Sequence, residues 1–201
     1  PCLIDLPDDI QRTLVLKNNQ KIFKAKPEKK NRNKLKKLVK RTVNLIKKSK
    51  RLIFIIGNGA KISNTINDIK KIIRKFQIPY SPTWATFDSF DGKDKLNIGS
   101  LGVYASRNGN FSVHNADLLI ILGSRLGAPL TGGNPKLFAP KAKKIQVDID
   151  PHELNEENKI SINLKINSNL KDFIDLIKKE KKLWGGNEDW VNTISNLKKK
   201  Y

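Results

Sequence analysis

Two unbroken apolar runs, Leu52–Ile56 and Leu118–Leu122, limit what this chain can fold into more than any other feature. A strand with no polar alternation has no face to give to water, so both of its sides need cover. Each run closes on glycine, Gly57-Asn58-Gly59 after the first and Gly123 after the second. Amphipathic stretches surround them. Leu35, Leu38, Val39, Thr42, Leu45 and Ile46 share one helical face before the first run; Ile62, Ile66, Ile69, Ile73 and Phe76 share another after it.

The same alternation continues along the chain. Residues 77–81 read as a strand, 82–92 as a loop, 108–115 as a helix, and 145–149 as a strand stopped by Asp150-Pro151. Ser168 or Asn169 caps a helix carrying Leu170, Phe173, Ile174 and Ile177, and Trp190, Ile194, Leu197 and Tyr201 form a last helical stripe. Strand and helix in turn predict an α/β fold: a Rossmann-like parallel sheet with helices on both faces and right-handed crossovers.

The ends read differently. Cys2-Leu3-Ile4 is a short apolar strand stopped by Pro7, Asp8-Asp9 is a charged turn, and residues 17–33 are a polar, basic linker. The chain therefore divides into a tail of another domain at 1–16, a linker at 17–33, a central domain at 34–182 and a lead-in to a further domain at 183–201. With no methionine and a Pro1-Cys2 start, it reads as a piece of something longer.

Composition narrows the function. No apolar run approaches the ~18 residues of a membrane span, and a single cysteine excludes a disulfide framework or a multi-cysteine metal site. With no signal peptide, the expectation is a cytoplasmic protein. The net charge of +21 points to a nucleic-acid binder or to compositional drift. Drift is the better reading: 33 Lys stand against 7 Arg, with 24 Ile and 21 Asn, the excess that A/T-rich codons produce. A nucleic-acid surface recruits arginine and interleaves aromatics. Any nucleic-acid binding is expected to be non-specific and salt-sensitive.

In a parallel sheet, ligands sit beyond the carboxyl ends of the strands. Gly57-Asn58-Gly59 is either an anion-binding turn or a tight turn; it is not G-x-G-x-x-G, because position 62 is Ile. Arg125, after Gly123-Ser124, could hold a phosphate or carboxylate, or make a surface ion pair. Asp148 could accept from ribose or ribityl hydroxyls, or pair internally while Asp150 caps a turn. His114 and His152 read as structural. No Ser-His-Asp or Cys-His arrangement is apparent.

Together these motifs resemble the central domain of thiamine-diphosphate-dependent enzymes of the acetolactate synthase-like group. The stretches IPYSPTWATFD and GSLGVYASRNGNFSVHNADLLIILGSRLGAPLTGGNPKLFAPKAKKIQVDIDP follow that domain's order of motifs across about residues 34–182. PCLIDLPDDIQ is similar to the end of the family's pyrimidine-binding domain, and DWVNTISNLKKKY to the lead-in to its pyrophosphate-binding domain. The wording around TW and GNPKLFAPKAKKI is nearest to members found with surface-sugar biosynthesis.

By position, the resemblance implies a cofactor crevice of Gly57, Gly59, Thr83, Trp84, Val103, Tyr104, Gly123, Arg125 and Asp148, taking FAD or another nucleotide. This chain departs where flavin-binding members follow the arginine with Phe-Asp-Asp-Arg: it reads Leu126-Gly127-Ala128-Pro129, so one acid and one arginine are missing. Thiamine diphosphate and Mg²⁺ would lie outside the chain, since neither the family's activating glutamate nor its Gly-Asp-Gly motif appears, and no catalytic residue or metal ligand is assigned here. The whole enzyme would decarboxylate a 2-keto acid or join it to a second carbonyl, with further domains in the parent chain and a homodimer or homotetramer as its assembly. A sirtuin-like NAD-dependent deacylase shares the broad sheet but carries a four-cysteine zinc module that one cysteine cannot make. A basic nucleic-acid-binding module is the other alternative.

Overall fold

The computed structural model describes residues 3–14, 31–155, 160–184 and 186–201. Two compact units divide the chain, Pro1–Lys30 and Asn31–Tyr201. In the first, the described residues hold one short helix, α1 (Asp8–Gln11), where a charged turn was expected; two acids in its first turn suit the positive end of the helix dipole. Leu3 and Ile4 lie in no strand, and Cys2 falls outside the described residues.

The second unit opens with α2 (Arg32–Lys48), whose Asn31 cap accepts from the Lys34 N–H at 2.9 Å. This cap sets the start two residues before the expected Lys34, and residues 17–30 of the expected linker lie outside the description. Then come β1 (Leu52–Ile56), α3 (Gly59–Ile62) and α4 (Ile66–Phe76). The single helix expected here is broken. Asn64 takes a positive φ of 54°, and the Thr65 hydroxyl donates to the Ala60 carbonyl, so the chain turns and Ile62 is left 80% exposed.

β2 (Tyr80–Pro82) is shorter than the expected 77–81 and shifted, because Gln77 is left-handed and ends α4. The expected loop contains a 3₁₀ turn, Trp84–Ser89. α5 (Arg107–Asn115), β3 (Leu118–Leu122), α6 (Ala128–Thr131) and β4 (Lys143–Asp148) follow. β4 begins two residues early and leaves out Ile149, which is half exposed. α7 (Pro151–Asn155), β5 (Leu164–Asn167), α8 (Leu170–Ile177) and α9 (Glu188–Lys200) complete the unit. β5 has no counterpart in the sequence reading. Only alternate residues of this four-residue edge strand are buried, so it carries no apolar run.

The five strands form one parallel sheet in the order β2-β1-β3-β4-β5. Every residue of β1 and β3 is buried, each contributing roughly 1.5–3 kcal/mol of burial. Register aligns Tyr80, Phe54, Ile120, Ile145 and Leu164 across the sheet, an apolar row that reaches both edges. α2 packs against α8, and α5 against α9. Asp117, ahead of β3, accepts from the Ser49 hydroxyl and from the Lys50 and Arg51 N–H groups, and so ties the start of β1 to that of β3. Residues 183–201 join the same core: Leu183, Trp184, Trp190 and Ile194 are buried in it, and the two indoles donate to the carbonyls of Ser49 and Leu52.

Candidate functional site

At the carboxyl edge, the first residue beyond β1, β2, β3 and β5 continues the ladder. Thr83 N–H donates to Ile56, Gly57 to Leu122, Gly123 to Val147 and Ser168 to Asp148, at 2.9–3.0 Å. Gly57, Thr83, Gly123 and Asp148 therefore share one edge. Asp148 lies two strands from Gly57, roughly 10 Å at the usual inter-strand spacing.

Of the two readings of Gly57-Asn58-Gly59, the geometry matches the tight turn. Both glycine amides are engaged, Gly57 with Leu122 and Gly59 with the Gly123 carbonyl at 3.0 Å. Their missing side chains make room for the neighbouring loop. A Cβ on Gly57 would collide with the Gly123 carbonyl, and one on Gly59 would lie 2.8 Å from Gly123 Cα. α3 spans only four residues.

Trp84 and Tyr104 meet as a tilted pair, with ring centroids 5.7 Å apart and planes at 43°, and remain exposed, with Phe87 and Val103 also on the surface. Val103 is anchored through its N–H to the Pro129 carbonyl. Gly102 before it is positive in φ and bracketed by the Asn110 side-chain amide, whose oxygen accepts from the Gly102 N–H and whose NH₂ donates to the Gly102 carbonyl. Lys61 pairs with Asp88 at 2.6 Å and so joins α3 to the 3₁₀ turn; the ammonium holds that exposed carboxyl below its ordinary range.

Arg125 takes the ion-pair alternative, with Nε 3.3 Å from Glu153 on α7. Asp148 accepts from the Asp150 N–H at 3.0 Å, and Asp150 accepts from the His152 N–H at the start of α7. These acids shape the turn after β4. Thus Gly57, Gly59, Thr83 and Gly123 come together, Trp84 meets Tyr104, and Arg125 turns towards α7. The sequence reading did not single out Asn110, Glu153, Lys144 or Gln146. Only Gln146 carried a signal, as a polar residue inside the expected apolar strand 145–149.

The family description "Thiamine pyrophosphate enzyme, central domain" matches residues 39–177. The large subunit of acetolactate synthase from Buchnera aphidicola subsp. Acyrthosiphon pisum is 30% identical over 99% of this chain and 35% of its own length. Acetolactate synthase 1, chloroplastic, from Nicotiana tabacum is 29% identical over the whole chain and 30% of its own length. The large subunit from Cyanidium caldarium is 31% identical over 78% of this chain and 27% of its own. The chain thus spans about a third of the length of the curated relatives it matches.

Proposed function

Because the chain belongs to the thiamine pyrophosphate enzyme family, where it matches the central domain, we propose that it is the central scaffold of an acetolactate synthase-like enzyme acting on 2-keto acids. The observation that carries this reading is the coincidence of the family match at 39–177 with one folded body, Asn31–Tyr201. The matches lend no support to the deacylase or nucleic-acid readings.

Thiamine diphosphate supplies the electron sink in such an enzyme. The residues present do not fit it. The sequence holds no Gly-Asp-Gly motif, and among the described residues no three His, Cys, Asp or Glu side chains gather as metal ligands. On this reading the activating glutamate, Mg²⁺ and pyrophosphate contacts come from other domains of the parent chain, with residues 1–16 ending one and 183–201 leading to the next. The parent assembles as a cytoplasmic homodimer or homotetramer. Among the described residues no helix is long and apolar enough to cross a membrane.

This chain's own part is to hold the carboxyl edge rigid. A flavin or other nucleotide would meet the exposed rings of Trp84 and Tyr104, the backbone of Thr83 and Val103, the carboxylate of Asp148, and Arg125 once it exchanges Glu153 for a phosphate. Gly57, Gly59 and Gly123 would shape that edge without donating to the ligand, since their amides are bonded to carbonyls.

Calorimetry with thiamine diphosphate and Mg²⁺, and a pyruvate-consumption assay, test the assignment. The chain alone should show neither stoichiometric binding nor turnover, while the parent enzyme shows both. Stoichiometric cofactor binding by this chain would overturn the reading.

A further inference from the structure

The face of the sheet opposite the continuous apolar row changes character towards one edge. Register places Ser81, Ile55, Ile121, Gln146 and Lys165 side by side, and Leu119 beside Lys144. Registered residues of a parallel sheet point to the same side. This face is therefore apolar over β1 and β3 and polar over β4 and β5. A cleft of about 660 Å³ opens there, lined among others by Arg125, Lys136, Lys144, Gln146, Glu153 and Lys165.

Lys144 distinguishes the cleft from an ordinary basic surface. Its side chain is carried by a strand and is 5% exposed. Its Nζ donates to the carbonyls of Ala139 and Ala142 at 2.8 and 3.1 Å, and among the described residues no carboxylate lies within ion-pair reach. Two carbonyls satisfy hydrogen bonds but leave the charge uncompensated, and a buried charge normally has a counter-ion. Burial accordingly pushes the Lys144 ammonium below its ordinary pKa. Gln146, 3% exposed, donates to the Ser124 carbonyl and is fixed two residues further along the same strand. Among the described residues, four basic side chains line the cleft against one acid, and that acid already faces Arg125.

We propose that this cleft binds a small phosphate-bearing polyanion, with Lys144 at its buried end and Lys136 and Lys165 at its rim. The site goes beyond the nucleotide crevice proposed above. It lies on the face of the sheet rather than along the carboxyl edge, and Lys136, Lys144, Gln146 and Lys165 have no part in that crevice.

The test is calorimetric titration of the whole chain with inorganic pyrophosphate at 150 mM salt (about the physiological ionic strength, where exposed charges are screened beyond roughly 8 Å), with succinate in parallel. One-to-one pyrophosphate binding is expected, with succinate weaker. Lys144→Met should weaken it about tenfold or more, and Lys165→Ala and Lys136→Ala severalfold each, while the exposed Lys93→Ala has no effect. Should Lys144→Met fail to fold, as judged by circular dichroism, the two exposed rim variants give the same reading. Non-saturable binding, or equal losses in Lys93→Ala, would reduce the effect to general attraction by a basic protein and overturn the proposal. Tighter binding of succinate would overturn the phosphate assignment.

Discussion

Gly59 and Gly123 meet backbone to backbone: the Gly59 N–H donates to the Gly123 carbonyl at 3.0 Å, and a Cβ on Gly123 would lie 2.7 Å from Gly59 Cα. The loops after β1 and β3 are thereby locked together at the centre of the carboxyl edge. Gly123 is also at φ +62°, a region that side chains disfavour.

Gly123→Ala should therefore destabilise the protein by about 2–4 kcal/mol, combining a left-handed backbone penalty with overpacking. Gly92→Ala, where nothing lies within 4 Å of the added atom, should change stability by no more than ~0.5 kcal/mol. Urea midpoints compare the two. Similar, small effects would show that the loops can part.

Trp190 ties α9 to the core of the second unit. It is 3% exposed, and its indole donates to the Leu52 carbonyl at 3.3 Å. Trp190→Ala should cost about 3–5 kcal/mol, measured by thermal or urea unfolding. Wild-type stability in that variant, or in a chain ending at residue 183, would mean that α9 adds nothing to the fold.

Lys144 predicts an alkaline signature. Its folded pKa lies below the ordinary 10.5. The unfolded chain therefore binds more protons between the two values, and stability rises with pH across that window. The burial penalty is present in full below the folded pKa and is relieved on approach to 10.5. Urea midpoints in this range should climb less in Lys144→Met than in the wild type. Tyr80 acts in the opposite sense above pH 10, since burial and then Asp94 push its hydroxyl upward, so the difference between the two proteins is the quantity to read.

Arg125→Ala separates binding from stability. The side chain is 75% exposed, so its loss should change stability by about 0–1 kcal/mol. A charge-assisted contact to a nucleotide phosphate is worth roughly 1.5–3 kcal/mol, so affinity for FAD in the parent enzyme should drop about tenfold or more. An unchanged flavin spectrum and affinity would remove Arg125 from the crevice.

The strands at Leu52–Ile56 and Leu118–Leu122 were legible because five apolar residues in a row can only be buried on both sides. Helix α8 was legible from its cap and apolar spacing, and α5 was expected one residue short, at 108–115. These are local signals, and with the succession of elements they determined an α/β parallel sheet. The edge strand β5 was not legible, since its pairing depends on β4, nearly twenty residues away in sequence; the break at 63–65 was not legible because apolar spacing runs on across it, while the local hydroxyl–carbonyl bonds of Ser63 and Thr65 that turn the chain leave no mark in that spacing.

The candidate site divides along the same line. Residue types alone placed glycines, an arginine and an acid at three strand ends. Only the tertiary structure decided that the glycine amides bond to carbonyls across the loops, that Arg125 faces Glu153, and that Trp84 meets Tyr104. It alone buried Lys144, whose place in the sequence resembles any other lysine at the start of a strand. A sequence specifies which groups a chain can offer; the register of distant strands specifies which of them are already bonded and which face a ligand.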